Sequence, residues 1–204
     1  MGLEYIDLFL AHWPVVLEAR SNISTAKSFP GATNAEKAIA TDADGKAIVD
    51  WTHTCQSIAA ANDQCGSFIP TWQAMQRLVA TGKVRAVGVS NFNIVQLKEI
   101  LSVGGTVPVS CNQVEAHPWF PNTQLIEFMQ EAEIMRTVFC PFAGQKRGGT
   151  SLLADPLVLR LAEKNEMGVG QLLQSWAVQR ATVPLGKSQN PSQQTFSLLT
   201  GAKS

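Results

Sequence analysis

Residues 71–101 read TWQAMQRLVATGKVRAVGVSNFNIVQLKEIL, and this stretch decides the fold class. Trp72, Met75 and Val79 recur at steps of three and four, the spacing of one helical face. Val84 to Val89 is a near-continuous apolar run, as expected of a strand with helices on one face and a core on the other. Asn93 can then cap a second helix that carries Ile94, Leu97 and Leu101 on one stripe.

The same rhythm extends in both directions. Further strand-like runs are Tyr5 to Ala11, Val107 to Val114, Thr137 to Cys140 and Thr182 to Leu185. Asn122 precedes a helical pattern with Leu125, Ile126 and Met129. Asp155-Pro156, a cap followed by proline at the first helical position, opens Leu157, Val158 and Leu161. Gly170 to Gln179 carries Leu172, Leu173 and Trp176. Strands alternating with helices imply a parallel sheet built from right-handed crossovers. Five strands make either an open doubly wound sheet or part of a barrel, and periodicity does not choose between them. The exception is Val15 to Pro70, a long variable loop of polar residues, Gly, Pro, Ala and Thr. Within it Asp42-Ala43-Asp44-Gly45 is a turn signal. It is not a calcium loop, since no glutamate stands at its twelfth position.

Composition narrows the class. The 204 residues are 45% hydrophobic and 16% charged with zero formal net charge, enough for a single domain, 1–204, with a real core. No basic cluster offers a nucleic-acid footprint, and no apolar run approaches a membrane span. The N-terminus lacks a basic region and is not a signal peptide. Met1-Gly2 is not a myristoylation signal, because Ile6 stands where serine or threonine is required. Cys111 and Cys140 fall in strand-like runs and read as small hydrophobes, while Cys55 and Cys65 lie in the polar loop. His12, His53 and His117 are too scattered for a zinc pattern. The expectation is a reduced, cytoplasmic protein without a metal.

Chemistry collects where the strands end. His12-Trp13 follows the first, Ser90-Asn91 the second, Gln113 lies near the end of the third, Phe139 ends the fourth and Lys187-Ser188 closes the fifth. Each alone has an ordinary structural explanation: a hydrogen-bonded histidine, a helix entry, a core aromatic, a solvated lysine. Together they share one mouth, because the carboxyl ends of parallel barrel strands lie on one face and build active sites there.

At this point a resemblance becomes specific. GLEYIDLFLAHWP, TGKVRAVGVSNF, CNQVEAHP and the closing GKS, in this order and spacing, resemble the aldo-keto reductases; TWQAMQRLV and QLLQSWAVQRATVP fit that family's helices. The resemblance covers most of the chain apart from the long loop. It implies an incomplete (β/α)8 barrel holding the equivalents of the fourth through eighth strands. It also implies NADPH-dependent reduction of an aldehyde or ketone. His12 matches the histidine that hydrogen-bonds the substrate carbonyl, and Trp13 the residue lining the pocket. Ser90, Asn91 and Gln113 match the holders of the nicotinamide carboxamide, and Phe139 the ring on which nicotinamide stacks. Lys187 and Ser188 match the pair that contacts the adenosine 2′-phosphate.

The departures bear on activity. An arginine and an asparagine that grip the adenosine end in the family are here Gln193 and Ser197. The family's catalytic aspartate, tyrosine and lysine fall upstream of Met1, and Tyr5, the sole tyrosine, belongs to a strand rather than a strand-end loop. The C-terminal tail that covers the substrate pocket in the family is also expected to be missing. Two readings follow: an oxidoreductase by descent, or a non-catalytic remnant that binds nucleotide weakly or acts as an interaction protein. An unrelated α/β hydrolase or nucleotide-binding domain is disfavoured by the lack of GxSxG and GxGxxG motifs. Exposed strand edges at Tyr5 to Ala11 and Thr182 to Leu185 also predict self-association.

Overall fold

The computed structural model describes residues 2–15, 40, 42–44, 46–48, 68–144 and 151–188. Five strands, β1 (Ile6–Ala11), β2 (Val84–Ser90), β3 (Cys111–Glu115), β4 (Met135–Phe139) and β5 (Val183–Leu185), form one sheet in sequence order. Every neighbouring pair is parallel. A doubly wound sheet reverses its order at a switch point; strands laid down in unbroken sequence order are those of a barrel segment. The helices between them are α1 (Ile69–Ala80), α2 (Ile94–Ser102), α3 (Thr123–Glu131), α4 (Pro156–Lys164) and α5 (Val169–Gln179), with a 3-10 turn at Leu152–Ala154. None of the described helices is long and apolar enough to cross a membrane.

Local chemistry sets the helix starts. Asn93 Oδ1 accepts from the Gln96 amide and Gln96 Oε1 accepts from the Asn93 amide, a closed capping box for α2. Asp155 accepts from the amides of Leu157 and Val158 ahead of Pro156. Asn122 precedes α3 as expected and stands at its N-cap position, left-handed at φ 50° and without a side-chain cap bond; its side-chain amide donates instead to the Glu115 carbonyl. In the turn at 42–44, Asp42 Oδ1 accepts from the amides of Asp44 and Lys46 at 3.0 and 2.8 Å.

The main core lies between the sheet and its helices. Val87, Val89, Val114 and Val138 pack there with Trp72 and Met75 of α1, Leu97 and Ile100 of α2, and Ile126 and Met129 of α3. Two helical stripes differ from the sequence reading. In α2, Ile100 is buried and Leu101 is exposed; in α4, Leu157 and Leu161 are exposed while Val158 and Ala162 are buried. In each case an apolar residue lay one step from the covered face, which in α2 packs into the main core and in α4 against Leu152 and Leu173. The strand limits also move. β3 begins at Cys111 rather than Val107, and β4 begins at Met135 and ends before Cys140. Cys140 is therefore not a buried strand residue: it is exposed and left-handed at φ 50°, just past the ladder. Cys55 and Cys65 lie outside the described residues.

Strand side chains alternate between faces. The positions between the core valines are Ala86, Gly88 and Ser90 on β2, Cys111, Gln113 and Glu115 on β3, and Met135, Thr137 and Phe139 on β4. They point away from the helices. The edge strands carry exposed Leu8 and Phe9 on β1, and Val183 and Leu185 on β5.

Candidate functional site

Four of the residues singled out from the sequence are joined by hydrogen bonds at the carboxyl ends of β1, β2 and β3. Asn91 stands immediately after β2 with φ 63°, a left-handed conformation that asparagine tolerates better than most residues. From there its side-chain Nδ2 donates to the His12 carbonyl at 2.9 Å and to Ser90 Oγ at 3.1 Å. Ser90 Oγ donates in turn to the Gln113 carbonyl at 2.8 Å, and the Asn91 amide donates to the same carbonyl at 2.9 Å. The His12 carbonyl can only accept, so the Asn91 side chain has its nitrogen on this side.

The polar groups left over decide what the site can hold. Both Nδ2 hydrogens of Asn91 are used, but its Oδ1 has no partner among the described residues. The side-chain amide of Gln113 likewise makes no hydrogen bond among them, leaving a donor and an acceptor available. A planar group with one carbonyl and one NH2 is the complement of such a set. Ser90 is buried and Asn91 and Gln113 are half-buried, so a ligand there would meet them partly shielded from water. His12 and Trp13 are both exposed, with ring centroids 5.7 Å apart, and form one rim.

Phe139 ends β4, paired in register with Glu115 and Leu185 and half-buried. Two residues beyond β5, Lys187 and Ser188 line a cavity of about 530 Å³ with Phe142, Leu153 and the first turn of α5, from Gly168 to Gln171. Ser188 already has an interaction of its own. The exposed Lys187 ammonium and the free amides of a helix start both favour an anion in that cavity. Sequence reading found Lys187 and Ser188 but missed Phe142 and the Gly168-Val169-Gly170 helix entry. The signal available there was a pair of glycines where α5 begins. Gln193 and Ser197 lie outside the described residues.

Sequence reading also missed Asn112 and the Glu115–His117 pair. Asn112 is fully buried and holds the main chain of Phe92. His117 Nε2 meets Glu115 Oε1 at 3.0 Å, while His117 Nδ1 is buried without a partner. Burial pushes the Cys111 thiol above its ordinary pKa. The neighbouring Thr137 hydroxyl acts the other way, but weakly, since it is buried without good hydrogen-bond geometry to any group. Cys140 is raised too, first by partial burial and then by the Glu115 carboxylate. Neither thiol has the environment of a nucleophile, which needs its pKa lowered. Among the described residues no group of three or more His, Cys, Asp or Glu side chains could hold a metal ion.

A sequence model of the Aldo/keto reductase family matches residues 1–199. The chain is 37% identical over 194 residues to a glycerol 2-dehydrogenase (NADP(+)) of Saccharomyces cerevisiae, a match covering 94% of this chain and 54% of the yeast protein. It is 35% identical over 197 residues to the human aldo-keto reductase family 1 member A1, covering 94% and 51% respectively. Its backbone superposes on an aldose reductase from Schistosoma japonicum with a TM-score of 0.69 and 27% identity, over 98% of this chain and 54% of that one. The chain thus spans about half the length of the curated relatives it matches.

Proposed function

The chain belongs to the aldo/keto reductase family, and from that premise we propose that its strand-end site serves NADPH-dependent reduction of an aldehyde or ketone. The observation that carries this reading is the network of His12, Ser90, Asn91 and Gln113, which leaves a donor and two acceptors open toward a primary carboxamide. Asn91 Oδ1 and the Gln113 amide would orient the nicotinamide, and Phe139 would give it a ring face to lie on. When bound, the cofactor supplies hydride to the carbonyl carbon. Lys187 would pair with the 2′-phosphate, and Ser188 would sit beside it. His12 would hydrogen-bond the substrate oxygen from the rim, with Trp13 limiting access of water. The partners are small carbonyl compounds, not nucleic acid, and the setting is the cytoplasm.

A specific observation favours a second reading, nucleotide binding without turnover. The one tyrosine of the sequence, Tyr5, precedes β1, while His12 follows it. Its ring lies 3.8 Å from the Arg85 guanidinium, a whole strand away from the site. A carbonyl receiving hydride needs a proton, and loss of a positioned acid costs roughly a hundred- to ten-thousand-fold.

Tryptophan-fluorescence titration of the purified chain tests the cofactor reading common to both. NADPH should bind with Kd around 0.1 mM or weaker, and more tightly than NADH. Lys187→Ala should abolish that preference. Equal binding of the two nucleotides by the unaltered chain would remove the role given to Lys187.

A further inference from the structure

We propose that Asn112 is a positioning residue for the nicotinamide site, acting through the main chain of Phe92 to hold Asn91 in its left-handed conformation; the proposal rests on the cofactor reading above. β2 and α2 are joined by only Asn91, Phe92 and Asn93. Asn93 is fixed by its capping box, and Asn91 must stay at φ 63° for its side chain to reach both the His12 carbonyl and Ser90 Oγ. Between them Phe92 is 1% exposed, its ring set edge-on to Phe68 at 4.7 Å. Its main-chain N–H and C=O are therefore out of water and must be satisfied from within.

Asn112 satisfies both. Its Nδ2 donates to the Phe92 carbonyl at 2.9 Å, and its Oδ1 accepts from the Phe92 amide at 3.4 Å. Asn112 is 0% exposed and paired in register with Val89, on the helix-covered face of β3. The next residue, Gln113, faces the site and pairs with Ser90. Two adjacent residues of one strand thus divide the work: Gln113 meets the ligand and Asn112 sets the turn that aims Asn91. A primary amide is the neutral group of this length that donates and accepts at once. Aspartate would bring a charge into a fully buried position, and leucine would leave both Phe92 groups unpaired.

The test compares two ligands on one sample. NADP+ and 2′-phospho-ADP-ribose share the phosphates and adenosine, but only NADP+ carries the carboxamide. Their Kd ratio reports the nicotinamide end and is unaffected by the fraction of protein that is folded. The unaltered chain should prefer NADP+. Asn112→Ala should cut that preference about tenfold, Asn91→Ala should cut it by the same factor, and the double variant should lose little more. If Asn112→Ala leaves too little folded protein to titrate, Asn112→Ser, which keeps a donor for the Phe92 carbonyl, should give a smaller loss in the same ratio. The proposal is overturned if the Asn112 variants weaken both ligands equally, or if their effect simply adds to that of Asn91→Ala. If the unaltered chain shows no preference for NADP+, the nicotinamide reading itself fails and takes this proposal with it. If the preference exists and only Asn91→Ala removes it, the cofactor reading stands and the role of Asn112 falls.

Discussion

Gly88 sits in β2 where β3 comes closest, and replacing it with alanine puts the sheet geometry to a direct test. A Cβ there would lie 2.6 Å from the Cys111 carbonyl oxygen, 2.9 Å from Leu10 Cδ2 and 3.1 Å from the Cys111 nitrogen. Ordinary contact begins near 3.4 Å, so β3 must retreat by about 0.8 Å at this point. Leu10 can rotate, but a backbone carbonyl held in a ladder cannot. Forcing a methyl into packed structure costs about 1–3 kcal/mol. Alanine's stiffer unfolded chain returns about 0.4–1 kcal/mol. The net loss is about 1–2 kcal/mol, or about 2–8 °C in Tm for a chain of this length. Because the β2–β3 ladder has only the register pairs Val89–Asn112 and Ser90–Gln113, the same displacement carries Gln113 away from Asn91. NADPH affinity should therefore fall as well. A thermal melt by circular dichroism, paired with a cofactor titration, reads both effects. Gly82→Ala is the control: it has φ +73° but no atom within 4 Å of the added carbon. It should cost about 1 kcal/mol through backbone strain alone and leave cofactor binding unchanged. A Gly88→Ala protein that melts at or above the original temperature would refute the close approach of β2 and β3.

Three further outcomes are expected. The purified 204-residue chain should show no carbonyl reduction above background with NADPH; steady turnover that vanishes on His12→Ala would make histidine the proton donor. Burial raises the Cys111 pKa in the folded state, so the unfolded thiol ionises first: stability should be flat below the ordinary thiol range, near pH 8.5, and decline as pH rises through it. Cys111→Ala should flatten that decline in urea melts at pH 7 and pH 10, and an unchanged slope would mean the thiol is not the titrating group. Self-association should proceed through β1, whose Leu8 and Phe9 are about 40% exposed; Leu8→Lys should shift size-exclusion elution toward monomer, and a chain already monomeric without it would rule out edge pairing.

How much of this was legible beforehand follows from where the information lies. The five strands and five helices were readable because apolar runs and three-four spacing are local signals. Periodicity did not choose a barrel segment over a doubly wound sheet, since strand order depends on which surfaces meet; the barrel came from the resemblance of the strand-end motifs, and the unbroken strand order agrees with it. Ile100 rather than Leu101, and Val158 rather than Leu157 or Leu161, became core for the same reason: adjacent apolar residues compete, and the element that covers them decides, the main core for Ile100 and the Leu152–Leu173 cluster for Val158. Cys140 looked like strand because its run was apolar, but its left-handed φ takes it out of the ladder. Ser90, Asn91 and Gln113 were found as strand-end polar residues. Asn112, one residue from Gln113, was passed over because its partner is main chain, and main-chain needs leave no mark in composition. The acidic turn at Asp42 was visible because its partners lie within four residues.

The ties within the site span very different lengths of chain. Ser90 reaches Gln113 across 23 residues, whereas Asn91 reaches His12 across 79. Closing the longer loop costs about 1.1 kcal/mol more in chain entropy, and slow, late contacts are those of large sequence separation. The unit from β2 to β4 can therefore assemble first, with Ser90, Asn91 and Gln113 already facing one another. β1 then closes on β2 across the longer loop, held by five register pairs from Ile6–Val84 to Ala11–Val89. The residues that would hold the nicotinamide are thus tied together by short stretches of chain, and His12, which would meet substrate, joins them only across a long one.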